Sequence, residues 1–166
     1  MKIYFAASLA NERNNYVAEI IEWLKSIGHK VLSEHVGQKD HRKALAEKLG
    51  IPKEKLSYQK ILEQDLAWVE ESECMIAEVS SKGSYGVGRE IERNRMRKRI
   101  GLTPAPLLLI YQKGYRPKSA LILGEENHKG IWLREYNNLQ EVKQIILEFF
   151  IKFKLNKEKI GSTLFL

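Results

Sequence analysis

The sequence predicts a three-layer, doubly wound α/β domain with helices on both faces of a mostly parallel five-stranded sheet. Three observations predict it. Short apolar runs alternate along the chain with segments whose apolar residues recur at helical spacing. Such alternation leads to right-handed crossovers and to a parallel sheet covered on both sides. Stop and turn residues, among them Gly28, Gly37, Gly50, Pro52 and the 83–88 run, fall between the segments.

Residues 2–7 read as a short apolar strand, after which Tyr16, Ile20, Leu24 and Ile27 repeat at helical spacing until Gly28. A weak second strand spans 30–34. The Lys-rich stretch 38–55 is expected to be the most mobile, with a short helix over 43–49 closed by Gly50 and Pro52. Ile61, Leu62, Leu66 and Val69 mark one stripe of a helix over 56–71, and 74–79 is a third strand. A loop over 83–88 leads into a helix from Val87 to about Arg99, then a fourth strand over 106–111 and a fifth over 131–133. Val142, Ile145, Ile146, Phe149, Phe150 and Phe153 define a final amphipathic helix. The arrangement is flavodoxin- or Rossmann-like. In such sheets a ligand sits beyond the carboxyl ends of the strands at the topological switch point, which directs attention to the loops after the first and third strands, 7–15 and 80–88.

The 166 residues, 43% hydrophobic and 30% charged, suit one domain with a single core. The one cysteine, Cys74, lies in an apolar run, so no disulfide framework is available and a reducing, cytoplasmic setting is expected. The N-terminal run MKIYFAAS is too short for a signal peptide, and no stretch is apolar enough to span a membrane. A net charge of +7 invites a nucleic-acid partner. Arg93, Arg95, Arg97, Lys98 and Arg99 crowd a helix end, however, where cations complement the macrodipole, and Lys152, Lys154, Lys157 and Lys159 gather near the C-terminus. No aromatic platforms interleave with them, so nucleic acid is not the expected partner.

The segment 80–90, SSKGSYGVGRE, joins a buried strand to a helix. Its glycines allow backbone to approach a ligand, and a helix start offers unpaired N–H groups to a phosphate. Glu90 is expected in the first helical turn, where that field favours the ionised carboxylate. It reads either as a nucleophile toward a sugar or as a helix-stabilising acid. Asp65 lies among Ile61, Leu62, Trp68 and Val69 on the apolar stripe, so burial should raise its pKa unless it is paired. Tyr4 is a core aromatic or a donor to a carboxylate, Ser8 an N-cap or a phosphate donor, and His35 a structural residue or a substrate contact. The four histidines and the lone cysteine show no metal-ligand spacing, and no metal or cofactor is expected.

The segments KIYFAAS (2–8), GHKVLSEHV (28–36) and DLAWVEESECMIAEVS (65–80), followed by SYGVGRE (84–90), resemble the nucleoside 2-deoxyribosyltransferase-like superfamily. Within it they are most similar to the 2′-deoxynucleoside 5′-phosphate N-hydrolases, in order and spacing over roughly residues 2–136. The resemblance implies a catalytic domain over 1–154 with a tail at 155–166. It implies a small nucleotide substrate whose N-glycosidic bond is hydrolysed through a glycosyl-Glu90 intermediate. Asp65 would contact the sugar and protonate the departing base, and Tyr4 would orient the nucleophile. Ser8, Leu9, Ser84 and the Gly86 and Gly88 backbone would surround the 5′-phosphate. A homodimer is implied, with Ser119 of KSALI (118–122) reaching the partner's phosphate site. The first loop, ASLANER (7–13), departs from the glycine- and arginine-bearing pattern of the family, with Ala10 where an arginine is expected and Arg13 or Lys82 as the candidates to compensate. Base exchange onto a second base is the nearest alternative reaction. A non-catalytic nucleotide- or nucleic-acid-binding protein is the alternative of a different class.

Overall fold

The computed structural model describes residues 1–9, 16–80 and 84–155. Ala10, Arg13, Lys82, Gly83 and the tail from 156 onward lie outside the described residues. The strands β1 (Lys2–Ala6), β2 (Lys30–Val31), β3 (Cys74–Glu78), β4 (Leu107–Gln112) and β5 (Ile131–Tyr136) form one sheet in the order β2-β1-β3-β4-β5. Every neighbouring pair is parallel. The chain steps from β1 outward to β2 and then returns to the other side of β1 for β3. That reversal puts the switch point between the carboxyl ends of β1 and β3.

Strand periodicity sorts the side chains into two layers. Ile3 and Phe5 of β1, Cys74 and Ile76 of β3, and Leu108 and Ile110 of β4 face one side. There they pack against Ile20, Ile21 and Leu24 of α1 (Val17–Ser26) and against Val142, Ile146, Phe149 and Phe150 of α6 (Leu139–Lys152). The intervening residues Tyr4, Ala6, Met75, Ala77, Leu107 and Leu109 face the other side. That side is covered by α2 (His41–Lys48), α3 (Tyr58–Glu71) and α4 (Tyr85–Met96) through Leu45, Ala46, Trp68, Val69, Val87 and Ile91. A short α5 (Ala120–Gly124) follows β4. Tyr4 is therefore on the face of α3 and α4 because of its parity in β1.

Local signals explain the boundaries. Gly28 stops α1 at φ 88°, a left-handed conformation that side-chain-bearing residues avoid. Ser57 caps α3 by accepting from the Lys60 N–H, and Asn138 caps α6 by accepting from the Glu141 N–H while Glu141 takes the Asn137 N–H.

Three expectations need correction. The second strand stops at Val31 because Ser33 Oγ both accepts from the Phe5 N–H and donates to the Phe5 carbonyl, replacing ladder bonds with side-chain bonds. The chain then enters a 3-10 turn at Glu34–Gly37. The stretch 38–55 is a packed helical excursion: Asp40 caps α2, and Leu45, Ala46 and Leu56 are buried on the sheet. Helix α4 begins at Tyr85, so Gly86 and Gly88 are helical residues and not parts of a preceding loop.

The basic cluster at the end of α4 is structural. Arg93 pairs with Glu70 of α3, and Arg95 pairs with the buried Glu125 at 2.7 Å. Arg97, buried, donates to the carbonyls of Val69 at 3.0 Å, Ser72 at 2.7 Å and Thr103 at 2.8 Å. Removing that guanidinium strands three acceptors. Arg97→Met is expected to lose about 2–4 kcal/mol of stability, read as a lower urea midpoint at unchanged slope. An unchanged midpoint would contradict this tie between α3 and the end of α4.

Candidate active site

A cavity of about 350 Å³ opens at the carboxyl edge of β1 and β3. Asp65 and Ile61 of α3, Glu90, Gly86 and Val87 of α4 with its N-cap Ser84, Ala7 and Leu9 after β1, and His35 of the 3-10 turn form its walls. The remaining wall comes from His41, Arg42 and Leu45 of α2 and from Tyr58 at the start of α3.

The two acids meet because α3 and α4 run side by side down the same face of the sheet, and each contributes a carboxylate at the level of the strand ends. Burial raises the pKa of Asp65 to about 7. Burial, and then repulsion from Asp65, raise that of Glu90 to about 8, while the Tyr4 hydroxyl, within hydrogen-bonding reach, pulls it back down. The helix field expected to ionise Glu90 is therefore not what sets its charge. Glu90 lies in the second turn of α4, beyond the strongest helix field, and desolvation outweighs the dipole.

The acids titrate as a pair that retains a proton near neutrality. Tyr4, only 1% exposed, donates to Glu90 and so favours charge there. Asp65 Oδ1 has no hydrogen-bond partner, which makes Asp65 the natural holder of the proton. His35 Nε2 stands 3.9 Å from that oxygen, and burial lowers the His35 pKa to about 4, so the imidazole is neutral beside it.

At the other side of the cavity is the start of α4. The Ser84 side chain makes no capping bond. The N–H groups of Tyr85, Gly86 and Val87 have no partner among the described residues, and that of Gly88 is bonded to the Ser84 carbonyl at 3.0 Å. The free donors thus include Gly86 but not Gly88, which corrects the expected role of the second glycine. Neither glycine has a positive φ, and a Cβ at Gly88 would meet nothing within 4 Å. A glycine in a helix costs about 1 kcal/mol relative to alanine, and no contact among the described residues explains the one at position 88. Free N–H groups, a hydroxyl and the positive end of the helix suit an anion.

The sequence-derived residues Asp65, Glu90, Tyr4, Leu9, Ser84 and Gly86 come together around the cavity. Ser8 follows β1 but is not among the walls, and neither are Gly88 and Ser119. Ser119 caps α5, accepting from the Ile122 N–H. Sequence reasoning missed His41, Arg42 and Tyr58 as walls. Tyr58 was detectable, because it continues the Ile61–Asp65 stripe one turn toward the N-terminus. Arg42 was not, because only the packing of α2 turns it inward. Among the described residues no cluster of three His, Cys, Asp or Glu side chains could hold a metal ion.

No family model matches the chain. It is 35% identical over 153 residues to a protein of Nematostella vectensis provisionally named 2′-deoxynucleoside 5′-phosphate N-hydrolase 1, covering 90% of this chain and 93% of that one. It is 30% identical over 155 residues to the 5-hydroxymethyl-dUMP N-hydrolase of Tetraodon nigroviridis, covering 90% and 97%. The fold matches that of a Clostridium botulinum CMP N-glycosidase with a TM-score of 0.61 at 15% identity, covering 90% of this chain and 99% of the other. Fold and relatives together define an N-glycosyl hydrolase on the nucleoside deoxyribosyltransferase-like scaffold. The chain belongs to the 2′-deoxynucleoside 5′-phosphate N-hydrolase family.

The raised pKa of Glu90 has a consequence for folding. In the unfolded chain the two acids titrate near 3.8 and 4.5, whereas the folded pair keeps its last proton until about 8. The native state therefore loses stability as pH rises between those values, and the loss is complete above about 8. Glu90→Gln is expected to raise Tm by a few degrees at pH 9 and by little at pH 5. A Tm difference independent of pH would contradict the burial of this acid.

Proposed function

We propose that the protein hydrolyses the N-glycosidic bond of 2′-deoxynucleoside 5′-monophosphates, releasing free base and deoxyribose 5-phosphate through a covalent glycosyl-Glu90 intermediate. The meeting of Glu90, Asp65 and the Tyr4 hydroxyl beside the start of α4 carries this reading. Substrate class is taken from the names of the relatives, and the site chemistry agrees with it.

Glu90, ionised with the help of Tyr4, attacks C1′ through an oxocarbenium-like transition state while the C1′–N bond breaks. Asp65 gives its proton to the departing base. Water then attacks C1′, the Asp65 carboxylate takes its proton, and Glu90 leaves as a carboxylate. Phosphate binding by Ser84 and the first N–H groups of α4, with Leu9 in the wall and Ser8 next to it in the chain, would position C1′ and concentrate binding energy on the reacting bond. Burial of the two acids supports the division of roles, since a shared proton gives one base and one acid in the same cavity.

We assign a homodimer in which Ser119 of one subunit completes the phosphate site of the other. Leu121, beside Ser119 in α5, is 83% exposed, and Tyr85 at the start of α4 is fully exposed, as surfaces covered by a second copy would be. Sedimentation is expected to give a dimer that Leu121→Asp dissociates, and a wild-type monomer would overturn the assignment. The cytoplasm is the compartment we assign, from the single buried thiol of Cys74. Among the described residues no helix is long and apolar enough to cross a membrane.

Glu90→Gln is expected to abolish base release from monophosphates, by about 1000-fold or more, with the fold intact. In the wild type, a glycosyl adduct on Glu90 is expected by mass spectrometry after rapid quenching. Wild-type turnover in the variant would reject the assignment. The kcat/KM profile should be a narrow bell, rising as the pair loses its first proton near 7 and falling as it loses the second near 8. In Asp65→Asn the residual activity should keep only the acidic limb, near its wild-type position, because Glu90 loses its proton beside a neutral partner in both proteins. A basic limb that persists unchanged would show that Asp65 is not the acid.

A further inference from the structure

The wall contributed by α2 and the start of α3 has no role in the chemistry above, yet it places a cation in the cavity. Arg42 donates from Nη2 to the Leu56 carbonyl at 2.7 Å, and its guanidinium lies over the Tyr58 ring at 5.1 Å from the centroid. These two contacts fix the plane of the fork. Among the described residues no carboxylate pairs with it, and its one hydrogen bond is to the Leu56 carbonyl.

Its place follows from the direction of α3. Tyr58 is seven residues ahead of Asp65 on the same stripe, which is about 10 Å along the helix. The anion-binding start of α4 is the other side of the mouth. A nucleotide is a linear array of phosphate, sugar and base. With its phosphate at Ser84 and Gly86 and its anomeric carbon between Glu90 and Asp65, the base projects toward Arg42 and Tyr58.

We propose that Arg42, held flat by Tyr58, reads the edge of the base remote from the glycosidic bond and selects bases with a carbonyl oxygen there over bases with an exocyclic amine. A guanidinium only donates hydrogen bonds, so it pairs with O4 of a uracil-type base or O6 of a 6-oxopurine and is opposed by the amino group at the same position of cytosine or adenine. The inference rests on the N-hydrolase reading and adds a specificity determinant to it. Arg42 acts on binding of the base and takes no part in proton transfer.

Base release is measured for four substrates with the same sugar phosphate: the 5′-monophosphates of 2′-deoxyuridine, 2′-deoxycytidine, 2′-deoxyinosine and 2′-deoxyadenosine. Comparing each ratio between wild type and variant cancels the intrinsic lability of each base. In Arg42→Met, the uridine-to-cytidine and inosine-to-adenosine ratios of kcat/KM are expected to fall about tenfold or more, mainly through KM of the oxo substrates. Arg42→Lys, which keeps the charge and the stem but not the planar fork, should lose part of the same selectivity with the fold undisturbed. Equal losses on all four substrates, with both ratios unchanged in both variants, would mean that Arg42 only supports the wall and would overturn the inference alone. No base release by the wild type from any of the four would overturn the N-hydrolase reading, and this inference with it.

Discussion

Two carboxylates that cannot both be charged in the same half-dry space set the terms for the rest of the molecule. Like charges in a low-dielectric cleft repel strongly, so the pair keeps a proton that isolated acids would have lost well below neutrality. Such a site is unfavourable to fold, and its geometry persists only because the helices that carry it are secured elsewhere. Trp68 and Val69 of α3 and Val87 and Ile91 of α4 are packed on the sheet below the acids. Arg93 joins the helices through Glu70, and Arg97 ties the end of α4 to the carbonyls that close α3. The distribution of charge between the acids is then decided by one neutral group, the Tyr4 hydroxyl, which the parity of β1 presents to this face.

This explains why a chain with a large positive excess need not bind polyanions. Arg93, Arg95 and Arg97 at the end of α4 are engaged by Glu70, Glu125 and backbone carbonyls. Lys25 and Lys48 converge on Glu34, and Lys53 on Asp40, which anchors the α2 excursion to the 3-10 turn behind it. Exposed pairs of this kind contribute little individually. Their effect is to neutralise basic residues locally, and among the described residues the cavity wall keeps a helix start and the Arg42 guanidinium.

The sheet and the major helices were legible because burial on both faces makes parallel strands read as unbroken apolar runs, as in 74–78 and 107–110. Asp65 was legible for the same reason, since a carboxylate on an apolar stripe has nowhere wet to go. Glu90 was legible as a residue and not as a charge state. Its ionisation depends on a neighbour 25 positions away and on a hydroxyl from the first strand, and neither acts through local sequence. The two glycines of α4 suggested a loop because helix propensity is a local prior that tertiary packing overrides. The stretch 38–55 looked mobile because Leu45 and Ala46 are its fully buried residues on the sheet, with Leu49 and Ile51 partly buried beside them, too few to register as a periodic pattern among so many lysines.

The placement of that last segment separates two kinds of constraint within one cavity. Asp65, Glu90 and Tyr4 come from elements packed into the core, so moving any of them disturbs the packing of Trp68, Val87 or Met75. Arg42 comes from an eight-residue helix held by two buried side chains and a few surface pairs. Change there alters what faces the base without touching the acids, because α2 makes no hydrogen bond to either of them. A scaffold divided in this way can keep one reaction at the sugar and vary the base it accepts. The two acids are confined to the interior, and Arg42 to a wall that the core does not need.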